Sequence, residues 1–103
     1  MLTGPTRGDE FKGKCRLEVD GRIYMDSRCS ITRGAQDGSF SIGTGETARE
    51  KYFAFVQVDP ETGMGSGYWN GVEAESHAHE DLGTLVRKGA CWVNDRARVC
   101  AWR

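Results

Sequence analysis

The sequence predicts an all-β domain: a small antiparallel sandwich or barrel of 7–8 short strands, with two disulfide-stapled hairpins and at most one short helix near 73–82. Short apolar runs, many of them alternating, follow one another at regular spacing. Glycines, 14 of them against 2 prolines, punctuate those runs as turns would. Four cysteines fall as one pair toward each end of the chain.

A length of 103 residues suits one domain with a small core. Apolar content of 38% with 10% aromatics excludes a disordered chain. No apolar run approaches a bilayer span. A formal charge of −1 and a pI near 6.1 do not point to nucleic acid or an anionic membrane as the main partner. The opening MLTGPTRGDEF has no apolar stretch of signal-peptide type, so an exported protein would be read here in its mature form.

Residues 1–12 lack periodicity and are expected to form a flexible arm before a single β domain over 13–103. Strands are expected near 14–19 and 22–26, joined by Asp20-Gly21, a strong hairpin signal. A third is expected near 38–43. The segment KYFAFVQVDPETGMGSGYWNG reads as a hairpin with strands near 52–58 and 64–70. Its first strand is apolar on both faces, as a central strand is, and Asp59-Pro60-Glu61-Thr62-Gly63 supplies a turn. Gly65 and Gly67 on the return strand leave room for a neighbour's ring or a bend. In GVEAESHAHEDLGTL, Ala74, Ala78 and Leu82 stand at helical spacing with Gly83 as a stop, the alternative being a polar loop. The last strands are expected near 83–87, 90–94 and 97–102.

The cysteine spacings are C-x13-C and C-x8-C, so neither zinc-knuckle nor CxxC redox chemistry is indicated. A two-residue turn at Asp95-Arg96 sets Trp92 against Val99 and Cys91 against Cys100. Cys91 and Cys100 then form a non-hydrogen-bonded pair, where opposed residues approach closely enough for a disulfide. The Asp20-Gly21 register places Cys15 opposite Asp26, so a Cys15–Cys29 bridge requires the chain to turn back or bulge around Asp26-Ser27-Arg28. Cys15–Cys29 with Cys91–Cys100 is the expected pairing, each bridge contributing roughly 2.5–3 kcal/mol through loop entropy. Disulfides persist in periplasmic or extracellular settings.

Tyr68, Trp69 and Asn70 in GSGYWNG combine aromatic faces with an amide, a pattern suited to a sugar ring; Trp69 also reads as core. His77 and His79 in SHAHED would point the same way on a strand, as two metal ligands do, but the chain holds no third histidine. Nothing resembles a nucleophile elbow, and no cofactor motif is present. Arg87, Lys88, Arg96, Arg98 and Arg103 make the C-terminal hairpin basic, with the acids between Glu73 and Asp81 as an intramolecular match. In SIGTGETAREKY, Gly43, Thr44 and Gly45 could offer backbone N–H groups to an anion, with Arg49 beside them.

That last loop resembles, over about a dozen positions, the Ser-Gly-rich loop followed by Lys-Tyr of periplasmic C-type lysozyme inhibitors. Those are small disulfide-bearing β-barrels that insert the loop into the lysozyme cleft. Ser41, Gly43, Gly45, Lys51 and Tyr52 carry the resemblance. Five residues intervene between Gly45 and Lys51, and the family's aromatic-Lys-Gly motif is absent after the next strand, Lys88-Gly89 coming too late. The resemblance implies an inhibitor acting through 41–52.

The leading expectation is an exported, periplasmic or cell-surface, bacterial binding module rather than an enzyme. Its partner would be a protein or a cell-envelope glycan, met by Tyr68, Trp69 and Asn70 and by Gly43, Thr44, Gly45 and Arg49. A metal protein or hydrolase centred on His77 and His79 is the rival class.

Overall fold

The computed structural model describes residues 10–33, 38–43, 51–74 and 78–102. Among them, eight antiparallel strands close into a barrel in simple sequence order. They are β1 (Glu10–Val19), β2 (Arg22–Arg33), β3 (Phe40–Ile42), β4 (Ala54–Val58), β5 (Gly65–Trp69), β6 (Glu80–Lys88), β7 (Cys91–Val93) and β8 (Ala97–Trp102). β1 begins at Glu10, so residues 10–12 of the expected arm belong to the barrel wall.

Alternation decides which side chains fill the interior. Cys15, Leu17 and Val19 of β1, Ala54, Val56 and Val58 of β4, and Val99 and Ala97 of β8 all enter the same buried cluster. β5 contributes Gly65 and Gly67, where a side chain would collide with larger neighbours. A Cβ on Gly65 would lie 3.0 Å from Trp92 Cε3, and one on Gly67 would lie 2.6 Å from Leu85 Cδ1. The two glycines therefore admit Trp92 and Leu85 to a lumen too narrow for large residues on every strand.

β1 and β8 close the barrel, pairing from Lys14↔Trp102 to Val19↔Ala97. Beyond the last pair the seam is latched by polar groups. The Asp20 N–H donates to the Arg96 carbonyl at 2.7 Å, while Arg96 Nε and Nη2 donate to the Asp20 carboxylate at 3.1 and 3.2 Å. That carboxylate holds the Arg96 pKa above its ordinary value.

Both disulfides form with the expected partners. In the C-terminal hairpin the observed pairs are Cys91↔Cys100, Trp92↔Val99 and Val93↔Arg98, as the turn arithmetic requires. Asp-Arg is a poor type I′ turn, and Asn94 compensates. Its Oδ1 accepts from the N–H groups of Arg96 and Ala97 at 2.9 and 2.8 Å, and its Nδ2 donates to the carbonyls of Leu82 and Thr84 at 2.9 and 3.0 Å. One side chain thus closes the turn and ties it to β6.

The N-terminal hairpin differs from the expected register. Asp20 and Gly21 both take positive φ, 53° and 81°, giving the expected tight turn. The bulge, however, lies at Tyr24 rather than at Asp26-Ser27-Arg28: Glu18 pairs Ile23, and Leu17 pairs Met25. The extra residue turns both Tyr24 and Met25 against the core. Cys15 then faces Ser27 and Gly13 faces Cys29, so the Cys15–Cys29 bridge runs diagonally inside the barrel with its Cα atoms 6.0 Å apart.

Of the two readings of 73–82, a short helix or a polar loop, no helix forms among the described residues. Gly71 to Ala74 make a turn, with the Ala74 N–H donating to the Gly71 carbonyl at 2.9 Å, and Glu80 already opens β6. The competing interaction is strand burial. Leu82 is an interior residue, and the Asp81 carboxylate accepts the Gly83 N–H at 2.7 Å, stabilising a bulge in which Gly83 takes φ 90°.

Asn94→Ala is expected to destabilise the fold by about 2–4 kcal/mol, because it removes four hydrogen bonds at once. Asn94→Asp should recover part of that loss by keeping the two accepted bonds. Urea denaturation with intact disulfides measures both.

Candidate functional site

The two mouths of the barrel have different chemistry. At the mouth formed by the end of β1, the start of β2 and the end of β5, the rings of Tyr24, Tyr52 and Trp69 meet. Their centroids are 4.8 Å apart for Tyr24–Trp69 and 5.1 Å for Tyr24–Tyr52. The Tyr52 hydroxyl donates to the Val72 carbonyl at 3.0 Å. This mouth is plugged.

The expected contact trio is accordingly split. Trp69 is 1% exposed, with Tyr24 and Tyr52 against its ring, so it is a core residue and no platform for a sugar. Asn70 is also 1% exposed, and its side chain serves the backbone. Oδ1 accepts the Phe53 N–H at 3.0 Å and Nδ2 donates to the Lys51 carbonyl at 3.1 Å, tethering the approach to β4. Only Tyr68 lies on the outer wall, half-buried and stacked on Phe55 at 5.0 Å.

The anion nest expected at Gly43, Thr44 and Gly45 loses its first member. The Gly43 N–H donates to the Ser30 carbonyl at 2.8 Å and continues the β2–β3 contact instead of facing outward. Thr44, Gly45 and Arg49 lie outside the described residues, as does His77. His79 is exposed just before β6, and no group of three potential metal-ligating side chains forms among the described residues. In the basic hairpin, Arg96 is committed to Asp20 and the Asp81 carbonyl, and Arg98 is paired in register with Glu18 on the outer wall.

The opposite mouth holds a pocket of about 280 Å³. Its aromatic lining is Phe11, Phe40, Trp92 and Trp102, and its charged lining is Arg33 and Arg87. Strand alternation explains why the arginines are there. Cys29, Ile31 and Arg33 share one face of β2, with Arg33 paired to Phe40. Leu85 and Arg87 share the interior face of β6, with Arg87 paired to Trp92. Each arginine continues a line of core positions one step past the apolar interior. Both remain exposed. Arg87 Nε donates to the Gly89 carbonyl at 3.1 Å, which anchors the guanidinium without using its two terminal nitrogens. The Arg33 side chain makes no ion pair or hydrogen bond among the described residues, and no carboxylate is among the described residues that line the pocket.

A second depression, over β6 and the β7–β8 turn, is broad and shallow, and the side chains of Asn94 and Arg96 there are already occupied by intramolecular bonds. The arginine-bearing mouth is the better candidate. Sequence reasoning passed over it. Arg87 was read as part of an outward basic patch, and Arg33 was not singled out. The available signal was the period-2 continuation from Cys29 and Ile31 to Arg33 and from Leu85 to Arg87.

Comparison with protein-family models, curated proteins and solved structures returned no match.

Asn70→Ala is expected to destabilise the protein by about 1–2 kcal/mol, since it removes the side-chain partner of the Phe53 N–H and of the Lys51 carbonyl at part-buried bonds. It should leave the side-chain resonances of Trp92 unmoved, which heteronuclear NMR of the variant checks.

Proposed function

We propose that this protein is an exported, non-catalytic binding module that meets its partner at the mouth lined by Arg33, Arg87 and Trp92. The observation that carries this reading is the pair of exposed arginines on interior-facing positions among aromatic rings, with no carboxylate among the described lining residues. Two guanidinium groups beside apolar rings form a poor core and a good receptor: the rings exclude water and the fixed charges orient a ligand.

The two disulfides support an oxidising compartment, periplasmic or extracellular. Between the two partner classes expected from the sequence, the lining favours a protein. Apart from its arginines the pocket presents Phe, Ile, Gly, Ala and Trp side chains, with no hydroxyl or amide to meet a sugar's hydroxyl groups.

The test is chemical-shift mapping on isotopically labelled, oxidised protein. C-type lysozyme and soluble peptidoglycan fragments serve as representative protein and glycan. The proposal expects any saturable perturbation to centre on the mouth residues, Trp92 above all. Perturbations centred on Phe55 and Tyr68 of the outer wall would contradict it. In parallel, four alkylatable thiols in the native exported protein would contradict the compartment.

A further inference from the structure

We infer that the Arg33–Arg87 mouth is a carboxylate receptor, built for an acid group carried on an apolar body such as the C-terminal residue of a partner polypeptide. The inference rests on the mouth being the binding surface and adds the chemistry of what it takes.

The charge argument comes first. Arg33 and Arg87 line one pocket from β2 and β6, on opposite sides of the ring, and no Asp or Glu is among its described lining residues. Elsewhere Arg96 is held against the Asp20 carboxylate. Here both terminal nitrogens of Arg87 are left for a ligand, while Nε is held by the Gly89 carbonyl. A planar fork held at one edge suits the two oxygens of a carboxylate.

The apolar argument limits the rest of the ligand. Phe11, Phe40, Trp92 and Trp102 surround the arginines, and every other lining side chain is aliphatic or absent. A polyhydroxylated acid would lose its water without regaining hydrogen bonds. An apolar residue ending in a carboxylate loses nothing of that kind. The volume of about 280 Å³ lies just below the usual range for whole drug-like ligands, which fits a terminal residue better than a long chain.

The alternatives elsewhere in the molecule are weaker. The Phe55–Tyr68 stack on the outer wall carries no charge to define an occupant. The buried, unpartnered Trp69 N–H sits in the plugged mouth. Arg16 is shared between Glu18 and Asp26.

The test uses the oxidised full chain and four probes, with binding read from Trp92 and arginine side-chain resonances. N-acetyl-phenylalanine is expected to bind about tenfold or more tightly than N-acetyl-phenylalaninamide, the advantage of a charge-assisted pair. Arg33→Gln and Arg87→Gln should each erase most of that preference, whereas Arg98→Gln on the outer wall should leave it intact. Salt titration of the unaltered protein gives the same information without mutation: affinity for the acid should fall with ionic strength and that for the amide should not. 3-Phenylpropionate separates the sources. Binding equal to that of the acetylated residue supports the carboxylate site with a free small acid as its ligand, and weaker binding supports a chain terminus.

Equal affinity for acid and amide at the mouth would overturn the carboxylate assignment while leaving the binding-module reading standing. Glucuronate binding as well as N-acetyl-phenylalanine would overturn the apolar part. Perturbation of the outer wall alone, by any probe, would overturn both this inference and the reading beneath it.

Discussion

Closure of β1 against β8 is the constraint on which the rest of the structure depends. Residues remote in sequence pair along this seam, Leu17 with Val99 and Val19 with Ala97, and the Asp20–Arg96 latch fixes its end. Because side chains alternate with period 2 except at the bulges on β2 and β6, one fixed pairing dictates the facing of the residues along each regular stretch of strand. The interior cluster, the diagonal Cys15–Cys29 bridge and the position of each mouth follow from that phase. A slip of one residue would turn Val99 outward and Arg98 inward.

The closed wall also converts strand order into chemistry. In an antiparallel ring, alternate strand ends gather at one mouth, so Phe11, Arg33, Phe40, Arg87 and Trp92 meet although they come from distant parts of the chain. The other mouth receives Tyr24, Tyr52 and Trp69 and is filled by their rings. The fold has one sealed end and one charged end, and the asymmetry arises from which side chain stands one step beyond the core on each strand. The two disulfides reinforce the hairpins that flank the seam, one bridge inside the barrel and the other outside its core cluster.

Local patterns made the strands readable, and they failed where a contact between distant segments decided the outcome. The β7–β8 register was legible pair by pair because a short turn and two cysteines constrain it locally. The Tyr24 bulge was not, since Asp20-Gly21 sets only the start of the register and the extra residue exists to bring Tyr24 onto Trp69. Leu82 shows the same limit. Its helical spacing is genuine, but a hydrophobic place beside Gly67 and the Asp81–Gly83 bond draw it into a strand. Of the candidate contact residues, Trp69 and Asn70 carry the residue types of a binding face and serve the interior instead. Arg33 and Arg87 carry the types of a solvated surface and stand at a pocket. Whether two strand ends share a mouth is a property of the closed ring, and no local window contains it.

The seam can be observed directly by nuclear Overhauser effects between β1 and β8 in the oxidised protein. The closed barrel predicts cross-strand contacts from Leu17 to Val99 and from Val19 to Ala97, together with slow exchange of the Asp20 amide that donates to Arg96. Strong contacts within the β1–β2 and β7–β8 hairpins, with none across the seam, would describe an open sheet and contradict the account.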